Sequence, residues 1–134
     1  MATQTLLTGH PVLGDPNGIA RARARTIALW IVQIAAAAMF LMAGTLKLGG
    51  AADMVQLFDA IGIGQWFRYV TGSIEVIAAV MLLIPSRAFL GALALAATMV
   101  GAIVTHLFVI GGSAAPSIVL LAATTLVAWS RRPL

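Results

Sequence analysis

The chain contains no cysteine, so a disulfide framework, a thiol relay and an iron–sulfur cluster are all excluded as chemistry built from its own side chains. Charge is almost as scarce. Lys, Arg, Asp and Glu together make up 9% of 134 residues, against 61% hydrophobic residues. A water-soluble surface of ordinary polarity cannot be assembled from that composition. Of the two histidines, only His106 lies in an apolar stretch, so one subunit cannot hold a haem between two histidines. No phosphate-cradling Gly-rich loop, no paired carboxylates in one stretch and no His-Glu metal motif occur. Neither a metal nor a haem is expected.

What the chain does have is length without polarity. Thr26–Leu46, Phe67–Ile84, Ala88–Ile110 and Ser113–Trp129 each approach the span of roughly 17 to 25 residues that crosses a bilayer core as a helix. Recurrent Gly and Ala, including Gly44, Gly72, Gly91 and Gly101, allow close helix approach. The expected fold is all-α, an integral membrane four-helix bundle over residues 21–134, behind a loose tail over residues 1–20. The first apolar stretch runs too long for a cleavable leader and reads as a retained anchor.

Between the first two spans, Met54, Val55, Leu57, Phe58 and Ile61 follow a helical spacing, and Gly62 is a suitable stop. This predicts a short interfacial helix on the outer face, either lidding the bundle or forming the mouth of a lateral opening for something lipophilic. Orientation follows from the basic residues. Arg21, Arg23, Arg25, Arg87, Arg131 and Arg132 fall on one side of a four-span path, and only Lys47 and Arg68 on the other. Both termini are therefore expected to be cytoplasmic, in an inner (plasma) membrane. Trp30 and Trp129 would mark the inner interface and Trp66 the outer one. The net charge of +4 reflects this topology and anionic lipid rather than nucleic acid.

Glu75 is the only acid in the apolar stretches, His106 is the only histidine in them, and Lys47 closes the first stretch. An ionisable side chain at membrane depth is costly and marks a functional site by default. At about 1.5 Å per residue, His106 lies roughly 6 Å and Glu75 roughly 12 Å below the outer ends of their spans, with Lys47 at the rim. Helical spacing puts Lys47 on a face with Phe40 and Gly44, Glu75 with Gly72 and Ala79, and His106 with Thr98, Ala102 and Thr105. A shared site is therefore within side-chain reach, with Glu75 bridging to His106. Two alternatives stay open. Glu75 and His106 can simply fix helix register, and Lys47 can snorkel as a depth marker. Gln33, Thr71, Ser73, Thr98, Ser117, Thr124 and Thr125 are read as bonding between helices.

Ala43-Gly-Thr-Leu-Lys47, Phe58 followed by Gly62, Gly72-Ser-Ile-Glu75, Leu82-Leu-Ile-Pro85 and Gly101-Ala-Ile-Val-Thr-His106, in that order and spacing, resemble the DoxX-like family of small four-helix membrane proteins. The resemblance covers roughly residues 26 to 130. It implies relatives that include a small subunit of a thiosulfate:quinone oxidoreductase, a component of a mycobacterial membrane oxidoreductase complex and an animal receptor chaperone. The family's polar positions fall on Lys47, Glu75 and His106.

Two functions are therefore expected. One is a redox-associated accessory protein, partnered by an oxidoreductase subunit, that binds a quinone-like molecule. In it Glu75 and His106 act as the proton-relaying or catalytic pair, and Lys47, Thr105 and Trp66 are binding groups. The other is a non-enzymatic scaffold or assembly factor for a partner membrane protein. A proton-driven carrier, which would need a homo-oligomer to alternate access, is a third.

Overall fold

Asp15 opens the first helix of the computed structural model, which describes residues 15–133. Its carboxylate accepts a hydrogen bond from the Asn17 amide at 3.1 Å, and Pro16 occupies the first turn. This is the cap chemistry that a helix start needs. Helix α1 therefore runs Pro16–Leu48, and residues 16–20, expected in the loose tail, are helical; residues 1–14 of that tail lie outside the described residues. At 33 residues α1 is about 50 Å long. That is more than a hydrocarbon core of about 30 Å, so its Arg-bearing first turns project from the bundle.

A short helix, α2 (Ala52–Ile61), follows and ends on Gly62 in the left-handed conformation, φ 88°, the terminator expected from the sequence. Helices α3 (Trp66–Leu82), α4 (Ala88–Thr105) and α5 (Ala115–Arg131) complete the order. The last turn of the α4 rod, His106–Ile110, is π-helical. Helix α1 packs against α3 and α5, and α4 against the same two, so the four long helices form a ring.

The core is one-sided. Ala36, Phe40, Ala79, Leu82, Leu95 and Val127 are among its buried residues, and most of them lie in the half of the ring nearer the chain termini. Alanine dominates because helices that meet on small side chains gain contact along their backbones. Outwards, every long helix presents large apolar groups: Ile31 is 63%, Ile77 62%, Leu90 57% and Val119 66% exposed. Pro16–Leu48 and Ala88–Ile110 are long and apolar enough to cross a membrane. Hydrocarbon is the solvent that matches such faces, and it requires the backbone to be satisfied within helices, as it is here.

The hydroxyls expected to bond between helices do not. Thr71 donates to Phe67 O, Thr98 to Ala94 O and Thr124 to Leu120 O, each at 2.8 Å. A threonine on a helix finds the carbonyl one turn back before it finds a neighbour. For Ser73, Ser117 and Thr125 no side-chain hydrogen bond occurs among the described residues. Gln33 alone of that set bridges helices, donating to Leu82 O at 2.9 Å and accepting from Arg131 Nε at 2.9 Å.

Candidate functional site: an apolar cavity with an ion pair on its wall

Glycine determines where α1 and α3 meet. A Cβ on Gly44 would lie 2.7 Å from Val76 Cγ2 and 2.9 Å from Gly72 O, and one on Gly72 would lie 3.0 Å from Lys47 Cβ. Without side chains at these two positions the backbones close up. Lys47, one turn beyond Gly44, and Glu75, one turn beyond Gly72, are thereby brought together. Lys47 Nζ lies 3.0 Å from Glu75 Oε2, with the Glu75 side chain 3% and the Lys47 side chain 14% exposed. Lys47 is thus not a snorkelling marker. Its ammonium turns inward and compensates the one carboxylate inside the ring.

Arg68, expected from the sequence only as one of the two basic residues on the outer side, is also buried. Its guanidinium donates through Nη1 to Lys47 O and through Nε to Gln65 Oε1 at 2.7 Å, and stacks over Tyr69 at 4.4 Å. Gln65 in turn donates to Asp59 Oδ1 at 2.8 Å and to Val55 O at 3.0 Å. A polar chain therefore runs from Asp59 on α2 through Gln65 and Arg68 to the end of α1. There the free carbonyls favour the two cations. The signal was present: Arg68, Gly72 and Glu75 are spaced four and three apart and share one face.

Beside the ion pair lies a cavity of about 730 Å³ bounded by all five helices. Along the α4 rod it runs from Ala94 to Ile110. Gly101 has nothing within 4 Å of a built Cβ, and Ala102, Thr105 and His106 are only half-buried. The wall is mainly apolar, with Phe40, Leu57, Phe58, Phe67 and Ile74 among its members, and polar groups from Lys47, Glu75, Thr105 and His106 reach it. Helix α2 forms one side. Phe58, 3% exposed, packs edge-on to Phe67 with ring centroids 5.8 Å apart.

Four of the five residues singled out from sequence thus line one cavity. Trp66 does not: it is 61% exposed, donates to Ile63 O at 2.7 Å and touches the cavity only through Phe67, at 5.8 Å between centroids. His106 and Glu75 share the cavity without bonding to each other. The His106 ring is held by Gly111 O, 2.9 Å from Nδ1. The π turn that His106 opens carries its imidazole towards the chain reversal, where Gly111 adopts φ 71°, ψ −161°, a conformation open essentially to glycine. Single-turn π segments recur at functional sites. Among the described residues, no cluster of His, Asp and Glu could hold a metal ion.

An apolar chamber with a few convergent polar groups suits a lipophilic molecule carrying a hydrogen-bonding head. No curated protein and no solved structure matches the chain significantly. Residues 31–129, most of the chain and all of the cavity-lining segments, match the DoxX-like family. The chain is a member of the DoxX-like family.

Proposed function

We infer that this protein is a four-span membrane protein of the bacterial inner membrane, with both termini cytoplasmic, that holds a quinone-like molecule in the cavity as an accessory to membrane redox chemistry. The observation that carries the reading is the Lys47–Glu75 ion pair on the wall of an otherwise apolar chamber of about 730 Å³. A ring carbonyl or phenol can exchange hydrogen bonds with Lys47 and Glu75 at one end and with Thr105 or His106 at the other, while Phe58 and Phe67 enclose the ring. Glu75 can accept a proton as carboxylate and return it as carboxylic acid, with Lys47 stabilising the carboxylate left behind. In this reading the chemistry lies in the outer half of the bilayer, beneath α2, and the electrons are exchanged with a partner oxidoreductase subunit.

Ligand-induced stabilisation tests this, since a molecule that binds only the folded state raises its unfolding temperature. A short-chain quinone should stabilise the detergent-purified protein, and Ala102→Trp, which fills the chamber, should abolish the effect while leaving the protein folded. Glu75→Gln should bind but lose any proton-coupled response. A quinone that stabilises Ala102→Trp as well as the unmodified chain would place it elsewhere. A chamber indifferent to quinones would favour a scaffold for a partner membrane protein, with the polar groups fixing register.

A further inference from the structure

At the other end of the ring, the Arg25 turn of α1 and the last turn of α5 enclose a cleft of about 410 Å³. Three guanidiniums line it, those of Arg25, Arg131 and Arg132, together with the hydroxyl-bearing Thr26 and Ser130 and the apolar Leu29 and Trp129. None of the four Asp and Glu side chains of the chain lines it. Asp15 lies ten residues before Arg25, about 15 Å along the helix, and is engaged with the Asn17 amide. Asp53 and Asp59 are on α2, and Glu75 is bound to Lys47.

Two of the three cations are held in place rather than free to seek water. Arg132 lies flat on Trp129, 3.8 Å from the ring centroid, and donates to Trp129 O at 2.8 Å. Arg131 reaches into the ring, donating through Nε to the fully buried Gln33 at 2.9 Å and covering Trp30 at 5.1 Å. Its Nη2 is buried and has no hydrogen-bond partner among the described residues. An orphaned buried donor is rare enough to require a reason, and fixed guanidinium forks match the oxygens of a phosphate. Because these side chains are already ordered, binding costs little further side-chain freedom.

We propose that this cleft is a binding site for a phosphate-bearing anion, supplied by the headgroup of an anionic phospholipid. The headgroup phosphate accepts from Arg25, Arg131 and Arg132, and its glycerol and upper acyl chain lie against Leu29 and Trp129. Unlike the diffuse attraction of basic loops for anionic membranes, this is a stoichiometric site. It needs the helices to lie in a bilayer and is independent of what fills the cavity at the opposite end.

The test is thermal unfolding of the full chain in mixed micelles containing phosphatidylglycerol or phosphatidylcholine, and separately with inorganic phosphate. The cleft variant is Arg25→Gln with Arg132→Gln, both exposed and neither bonded to the core. The charge-matched control is Arg21→Gln with Arg23→Gln. Phosphatidylglycerol, but not phosphatidylcholine, should raise Tm in the unmodified chain and in the control, and the rise should vanish in the cleft variant. Inorganic phosphate producing the same rise, lost in the same variant, keeps the site and assigns its anion to the free ion. Equal loss in both double variants would reduce the effect to net charge and overturn the site. So would equal responses to the two lipids. Native mass spectrometry of the unmodified chain gives an answer independent of the variants: a single retained phosphatidylglycerol is expected, and retention of phosphatidylcholine to the same extent would sink the proposal.

Discussion

Lys47 and Glu75 illustrate how one contact changes the meaning of two residues. Alone, each is a charge in a place that charges avoid; together they form a pair whose mutual attraction offsets much of their desolvation. Breaking a buried pair by removing one partner is far more damaging than replacing both, because the survivor is left uncompensated. Glu75→Ala should therefore destabilise the protein by about 3 kcal/mol in detergent unfolding, whereas Lys47→Met combined with Glu75→Leu should recover most of that loss. The coupling from the double-mutant cycle should fall between about 0.5 and 3 kcal/mol. Additivity within about 0.5 kcal/mol would mean that the 3.0 Å contact contributes nothing. His106→Ala combined with Glu75→Ala should be additive, since His106 bonds Gly111 O rather than the carboxylate. Pairing Glu75 with His106 was a reasonable sequence expectation from depth alone; the partner that wins is the one a glycine crossing brings nearer.

Helices α1 and α3 are fastened by absence of side chains, whereas the face of α4 at Gly101 looks onto open space. The two situations look alike in sequence, where Gly44, Gly72 and Gly101 are all small residues in apolar helices. They predict opposite outcomes. Gly72→Ala adds a Cβ at 3.0 Å from Lys47 Cβ and 3.1 Å from Gly44 O, contacts that cannot relax without moving a backbone, and should cost about 1 to 3 kcal/mol together with loss of quinone stabilisation. Gly101→Ala meets nothing within 4 Å and should change stability by no more than about 1 kcal/mol, in the stabilising direction that alanine's helix propensity gives. Unfolding of both variants under one set of conditions checks the contrast. Helix α2 was legible in advance, its apolar spacing and Gly62 stop both carried by local residues. The π turn at His106–Ile110 was not, because it depends on how the chain reverses at Gly111 rather than on any propensity of His-Leu-Phe-Val-Ile.

For the molecule as a whole, the absence of cysteine makes topology directly measurable, since an introduced thiol has no background. Single cysteines replacing Arg87 and Ser130 should label from the cytoplasmic side, and one replacing Asp59 from the outer side. Labelling of position 59 from the cytoplasm would invert the protein and move the cavity to the inner leaflet. Composition, the apolar periods, the α2 stop and the placement of arginines were readable along the chain because each depends on residues a few positions apart: hydrophobicity per turn, capping and charge near helix ends are local quantities. The family resemblance was readable for the same reason, as short motifs in a fixed order. Distances across the ring are of another kind. That Lys47 faces inward to Glu75, that Arg68 closes the end of α1, that Trp66 stands behind Phe67, and that the five helices leave a chamber between them all follow from which helix faces meet and how closely. That depends on the sum of many small contacts between segments far apart in sequence, and no window along the chain contains it.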